Sequence, residues 1–455
     1  MMKKTTLIYI LVLSLSHPIF SQTVIKDVNE AIELAKKNNL DLQISRRTAQ
    51  VQQWNVTAAK GARLPQLKLT TAFDYNFVLP TQLIPAQFFG GREGEFRSIQ
   101  FGVPFNLTAG LEGNVPLWNA GLKQEVEIAK ANQKIGILQT LVLQDDLSTQ
   151  VARLYFATVF TQQYITITQQ NLANTDSIAR IVAERKEKGL IDQLEYNRVR
   201  STRLAIEDVL HQNEMAYQKN LNQLRVVVGD SSVITSSSAL LLLSGEGSTL
   251  QKEPPFSLDK EKGLGRSVVT DEVAVPRLQL RAAQFSLAKE QVKKEQKLRL
   301  PTLSAYARYS EQAQRNQLNF LNFNEKWFGI GVAGLRFEAP IYSGRIRESG
   351  IARARVNADI AQMQLDNEKR KYESETQDLL ITYNQSLNSL KINREAYQLN
   401  EENMQLVLIK YKGGILSYDQ YLNVFNEVLN AQNKYLRTLA DVMINGKLLE
   451  IRNSY

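Results

Sequence analysis

The chain has 455 residues, a formal net charge of +9 and no cysteine, which excludes disulfides, thiol catalysis, thiolate metal sites and a lipid-attachment cysteine. Its two histidines, His17 and His211, are poor ground for imidazole chemistry or a histidine-rich metal site. The 55 basic residues are dispersed among 46 acids, without the clustered patch that nucleic-acid binding needs, so the expectation is no enzyme, no metal, no cofactor and no nucleic-acid partner.

The first residues set the compartment. Lys3 and Lys4 precede a short apolar run over 7–15, which Pro18 breaks ahead of Ser21. This is the layout of a secretory signal peptide over 1–21, and the run is too short to span a bilayer. No later apolar run approaches the ~18 residues of a transmembrane helix. An exported chain of this kind must cross any membrane by strands.

Strand signals come next. Leu67, Leu69, Thr71, Phe73, Tyr75 and Phe77 alternate with Lys68, Thr70, Asp74 and Asn76. Residues 80–97 read as a long loop. From Ile99 to Leu117 the apolar residues occupy odd positions, with Gln100, Gly102, Asn106, Thr108 and Glu112 between them, which predicts one long strand. One apolar and one polar face per strand fits a soluble sandwich or a membrane barrel, and long strands with aromatics toward their ends favour the barrel.

Proline is absent from 117–253 and from 341–455. It costs a helix interior about 3 kcal/mol, so both segments invite a helical reading. Glycine is scarce in them too, and each offers a helix of roughly 65 residues, about 100 Å long at 1.5 Å per residue. Lys188-Gly189-Leu190 and Lys412-Gly413-Gly414 end these helices, glycine being the common residue just past a helix end, and a second helix follows each. Ile128, Ala131, Ile135, Leu138, Val142, Thr149, Ala152, Phe156 and Val159 keep a 3-4 spacing, and Leu147, Val151, Leu154, Thr158 and Ile165 form a second stripe. Two stripes give a helix neighbours on both sides, as in the wall of a tube.

The chain is an internal repeat. Arg63-Leu64-Pro65-Gln66-Leu67 returns as Arg299-Leu300-Pro301-Thr302-Leu303, and Leu42 matches Leu278, both at an offset of 236. Pro116-Leu117-Trp118-Asn119 returns as Pro340-Ile341-Tyr342-Ser343 at an offset of 224, and Gly189-Leu190-Ile191 as Gly414-Ile415-Leu416 at 225. The second copy predicts strands over 302–310 and 327–341, with a phase slip near Ala333-Gly334 that suggests a bulge. The domain reading is a signal peptide over 1–21 and a first repeat over 22–231, with strands about 66–117 and a helical hairpin about 119–228. A linker over 232–275 leads to a second repeat over 276–455, with strands about 302–341 and a hairpin about 343–450. Four strands cannot close a membrane barrel, whose smallest members have about eight, and open edges are not tolerated in lipid. Protomers must then share a barrel.

This duplicated order resembles the TolC-like outer-membrane efflux proteins, as do residues 28–42 and 414–422 at the chain's start and second turn. The resemblance implies an α+β membrane fold with long antiparallel helical hairpins, in which a homotrimer shares a twelve-stranded barrel and a periplasmic twelve-helix tunnel. It implies a channel of a tripartite efflux or type I secretion system, set in outer-membrane lipid. Such a channel docks on a periplasmic adaptor and an inner-membrane transporter of RND, ABC or MFS type. A periplasmic adaptor and a structural coiled-coil surface protein are the alternatives; neither needs strand pairs in duplicate.

By the same resemblance Glu195 and Tyr411 match an acid and a tyrosine that lock the closed tip. Leu416 stands where the best-known member has a clamping arginine, so that clamp is expected to be absent. A constricting acidic ring falls on Gln420 and Asn423, with Asp419 adjacent. The exposed tips Gly189, Leu190, Ile191, Gly413, Gly414, Ile415, Leu416 and Tyr418 are candidates for adaptor docking.

Overall fold

A computed structural model describes residues 23–235 and 275–453 apart from Phe323. The expected signal peptide over 1–21 lies outside the described residues, as does the expected linker over 232–275 apart from 232–235 and 275. Two helices are unbroken over 68 and 67 residues: α3, Ala120–Glu187, and α6, Ile346–Lys412. Each is followed by a shorter partner, α4, Gln193–Val228, and α7, Tyr418–Arg452. Among the described residues no helix is long and apolar enough to cross a membrane.

The long helices carry many hydroxyl residues in their interiors, which would otherwise compete for the backbone. Thr158, Thr161, Thr168 and Thr175 of α3 each donate to the carbonyl four residues back, as do Thr376, Thr382 and Ser386 of α6. Such back-bonds satisfy the hydroxyl inside the helix and bend it gently.

By its contacts the chain divides into two compact units, each assembled from both repeats. The first holds the described parts of Met1–Ile44, Leu141–Ala274 and Lys371–Tyr455. There β1, Thr23–Ile25, pairs in parallel with β6, Val233–Thr235, beside helix α1, Val28–Asn38. The core gathers Leu147, Val151, Ala152, Phe156 and Val159 of α3 with Leu42, Leu224, Tyr383, Tyr435 and Val442. Residues of both predicted stripes are therefore buried together. His211 is exposed, with Nδ1 3.4 Å from Glu214.

The second unit comprises Ser45–Thr140 and Val275–Arg370. Helices α2, Leu40–Gly61, and α5, Pro276–Lys297, lead into its strands. Four of these form an antiparallel sheet in the order β2-β5-β7-β8, with ranges Gln66–Tyr75, Phe105–Trp118, Thr302–Arg315 and Phe328–Glu338. Directly paired residues share a face. One face therefore carries Leu69, Leu111, Tyr309 and Gly331 in a row, with Phe73, Leu107 and Ala313 on one side of it and Trp118, Leu303 and Phe337 toward the helices. The opposite face carries Lys68, Glu112, Arg308 and Val332 in a row, with Lys68 and Glu112 3.2 Å apart. The apolar face is open: Leu67, Leu69, Leu335 and Phe337 are each about two-thirds exposed or more.

Three sequence expectations change here. The strand expected over Ile99–Leu117 is two. Gly102 lies at φ 102° and Pro104 lacks an N–H, so the ladder breaks between β4, Phe96–Gln100, and β5. The expected loop over 80–97 contains β3, Thr81–Pro85, and one 3₁₀ turn, Ala86–Phe89, and β3 pairs with β4 in a separate ribbon. No bulge occurs at Ala333-Gly334: the β7–β8 register is unbroken from Thr302↔Glu338 to Gln312↔Phe328, and the shift lies at Pro116/Trp118. Gly334 shows why. A Cβ there would sit 2.9 Å from the Tyr306 hydroxyl, so the ring lies across the bare backbone and no extra residue is needed. The apolar residues Phe328, Ile330 and Val332 are thereby left on the polar face.

Candidate functional site at the hairpin turns

The first unit ends at two glycine turns. Gly189 has φ 70° and Gly414 has φ 76°, the left-handed region that side chains with a Cβ avoid. After each, a polar residue starts the next helix. Asp192 accepts from the Glu195 backbone N–H at 2.8 Å, and Ser417 forms a reciprocal capping box with Gln420. The caps fix where each new helix begins, and hence which side chains meet between the hairpins.

Tyr411, in the last turn of α6, is fully buried and packs at a tilt against Tyr418 and Tyr421 of α7, and Tyr421 stacks in turn on Phe425. Its hydroxyl donates to Glu195 Oε1 at 3.4 Å. Glu195 lies in the first turn of α4, where the helix dipole favours a carboxylate. Burial raises the Tyr411 pKa, the Glu195 carboxylate pushes the same way, and Arg185 opposes. Burial likewise raises Tyr418 and Tyr421. The Tyr418 hydroxyl meets that of Thr202 at 3.2 Å.

The expected lock pair is thus brought together. Leu416 supplies no arginine at the second turn, but one reaches it from the first hairpin. Arg185, in the last turn of α3, donates to the carbonyls of Tyr411 at 3.1 Å and Lys412 at 2.9 Å, and its guanidinium lies 5.2 Å from the Tyr411 ring centre. Those carbonyls are among the four for which a helix C-terminus supplies no partner within the helix, at the negative end of its dipole; the Tyr411 carbonyl also accepts from the Gly414 N–H at 3.0 Å. The only available signal was a basic residue one turn before Gly189, which many helices show for the dipole alone.

The constriction candidates fare differently. Gln420 is exposed and its side chain is occupied by the Ser417 cap. Asn423 is exposed. Asp419 is exposed too and pairs with Arg198 of α4. Of the docking candidates, Leu190 and Ile415 are 69% and 75% exposed. Gly189, Gly413 and Gly414 lie in the turns beside them, with Leu416 half-buried. Tyr418 is corrected: it is 2% exposed, because its ring completes the tyrosine stack. Ile191 is half-buried against the same cluster.

The chain combines a four-stranded antiparallel sheet that leaves its apolar face open with two long helical hairpins. The chain matches the outer membrane efflux protein family over residues 31–230 and 271–446, and it belongs to that family. It is an outer-membrane efflux channel component. Solved structures share the fold. The CmeC outer membrane channel of Campylobacter jejuni is 14% identical at a TM-score of 0.71, over 93% of this chain and 87% of that one. CusC gives 15% and 0.70, over 93% and 91%. VceC of Vibrio cholerae gives 16% and 0.68, over 93% and 94%. No curated protein matches the sequence.

Proposed function

We propose that three copies share one twelve-stranded barrel in outer-membrane lipid and one periplasmic tunnel of helical hairpins. In this reading the duct takes cargo from an inner-membrane transporter of RND, ABC or MFS type through a periplasmic adaptor, in efflux or type I secretion. The observation that carries it is the open four-stranded sheet: its apolar face suits lipid, its polar face suits a water-filled lumen, and among the described residues β2 and β8 are left as unpaired edges. Edges of that kind cannot stand in a bilayer, and four strands per copy reach twelve with three copies. The repeats over 22–231 and 276–455, with the linker between them, are the units that supply these parts.

The glycine turns are the proposed periplasmic tip. Glu195, Tyr411 and Arg185 hold it within a protomer, while Gln420 and Asn423 place amides at the constriction. Asp419 is offset by Arg198, so the constriction attracts cations weakly. Leu190 and Ile415, with Gly189, Ile191, Gly413, Gly414 and Leu416 around them, form the adaptor contact. Outer-membrane fractionation with a heat-modifiable trimer in detergent tests the assembly, and a monomer confined to the periplasm would overturn it. Leu190→Glu with Ile415→Glu should abolish adaptor cross-linking; intact cross-linking would remove the tip from docking. Strong multivalent-cation block that persists after Glu195→Gln and Asp419→Asn would reveal an acidic ring elsewhere.

A further inference from the structure

The helices that adjoin the sheet keep the order of its strands. α2 lies on α3, where a Cβ on Gly136 would meet Gln52 and Ala49 at 3.4 and 3.5 Å. α3 packs on α5 through Ile135, Leu138 and Ala283. α5 packs on α6, with Arg281 3.6 Å from Glu368 and the Glu295 carboxylate against Gly350. The row α2-α3-α5-α6 thus follows β2-β5-β7-β8, and among the described residues α2 and α6 each have one free side.

Each free side carries an apolar stripe. Val51 and Trp54 are the large apolar residues that α2 exposes within the second unit, at 54% and 71%. Arg47 and Ala58, both exposed, extend them to a 4-3-4 spacing that keeps one face of a helix. At about 100° per residue, Ala49, Gln52 and the buried Val56 lie on the opposite side, toward α3. On α6 the exposed Arg353, Val356, Ile360 and Met363 keep a 3-4-3 spacing. Ile351, Ala354 and Ala358 are buried on the side away from them. The two stripes also share a height. α2 runs toward the sheet and ends at Gly61, and α6 leaves it from Ile346. Val51 and Val356 are each ten residues from that end, about 15 Å along the helix at 1.5 Å per residue.

We propose that an apolar seam joins α6 of one copy to α2 of the next, with Trp54 as its anchor. The occupant of each stripe is the other stripe, on a second copy. Three observations argue it. The stripes lie on the two free sides of one row, and they overlap in height even when the copies are staggered by a turn. The helices that carry them also run in opposite senses, as every neighbouring pair in the row already does. The seam rests on the shared-tunnel reading and adds to it the residues that hold neighbouring copies together. Apolar stripes of heptad spacing that stand open on a lone chain are what such a joint buries. Arg353 and Trp54 are each seven residues from the sheet end, so the one charged group beside the anchor meets an indole face, which attracts a guanidinium.

The chain has no cysteine, so an engineered pair reports without background. Val51→Cys is combined in turn with Arg353→Cys, Val356→Cys and Ile360→Cys, and each full-length protein is treated in detergent with a short thiol-to-thiol cross-linker. Light scattering gives the mass of the assembly independently. The seam predicts that at least one pair shifts from monomer to covalent trimer on a denaturing gel, while single variants stay monomeric. A second measurement follows Trp54 alone, after Trp118→Phe and Trp327→Phe. Its emission should be blue-shifted in the trimer and move to the red when the trimer dissociates. Trp54→Glu should lower trimer melting and Trp54→Phe should keep most of it. A trimer by mass with no pair cross-linked and with Trp54 emitting as a solvated indole would overturn the seam and leave the shared tunnel standing. A monomer by mass in the parent protein would overturn both.

Discussion

The two glycine turns have the same backbone and different cargo. Gly189 and Gly414 adopt nearly the same left-handed φ, and each is followed by a side-chain cap three residues on. Around the second turn the chain supplies rings: Tyr411, Tyr418, Tyr421 and Phe425. Around the first it supplies polar partners: Arg185, Glu195, Arg198 and Thr202. The two turns share a backbone and differ in their side chains, and polar groups of the first hairpin meet rings of the second. The hairpins are thereby joined through buried rings, two of which, Tyr411 and Tyr418, bond to Glu195 and Thr202 across the gap, so opening the joint breaks several contacts together.

The comparison makes the ring side the heavier half. Tyr411→Ala removes a fully buried ring and should cost about 3–5 kcal/mol of tip stability. Its expected signature is a large rise in resting conductance of the reconstituted channel. A conductance equal to the parent's would mean that the tyrosine stack does not hold the tip. Alkali attacks the same half without mutation. A tyrosine whose folded pKa lies above the ordinary value of about 10 holds its proton more tightly in the closed tip than when solvated. The stabilisation is therefore complete below pH ~10 and is lost as pH rises through the raised values. Conductance should climb in that alkaline window, with Tyr411, Tyr418 and Tyr421 titrating late in the ultraviolet difference spectrum.

The polar half should respond less. Arg185→Ala deletes two charge-assisted hydrogen bonds, worth about 2 kcal/mol, although the Tyr411 carbonyl keeps its bond from the Gly414 N–H, and Arg185→Lys should recover only part of it because a point charge cannot fork across both oxygens. Gly414→Ala and Gly189→Ala meet no atom within 4 Å, so each should cost only the conformational penalty, roughly 1–2 kcal/mol. Equal effects at the two turns would show that their backbones carry the same strain; a larger one at Gly414 would mean that the ring side also depends on the turn's register. Trimer melting in detergent gives both values.

Much of this was legible in the sequence, for physical reasons that also mark the limit. The hairpins follow from the absence of proline over 117–253 and 341–455, since a single interior proline would break a 68-residue helix. The turns follow from glycine, and Tyr411 and Glu195 meet as the family pattern implies. Residues 80–104 misread because alternation continues across Gly102 and Pro104, where backbone hydrogen bonding fails although side-chain polarity does not change. The bulge at 333–334 misread because a period change has two solutions, an inserted residue or apolar residues on the other face. Only the pairing of β8 with β7 decides between them. Arg185 stayed hidden because its partners are carbonyl oxygens, which leave no trace in side-chain identity.

The smallest effect tests whether the halves differ in kind. Arg198 and Asp419 join α4 to α7, but their side chains are 44% and 60% exposed, so solvent screening should hold the pair's worth to at most about 1 kcal/mol. Arg198→Ala alone should barely change trimer melting, and raising salt should erase what change there is. Its more telling consequence is electrostatic, because removing Arg198 leaves Asp419 uncompensated beside Gln420 and Asn423. If the proposed constriction lies there, Arg198→Ala should increase cation selectivity and sensitivity to multivalent-cation block, and Arg198→Ala with Asp419→Asn should return both to the parent's level. A double variant still more cation-selective than the parent would place the controlling charge elsewhere. It would leave the first turn with no role in conduction beyond supplying partners for the rings of the second.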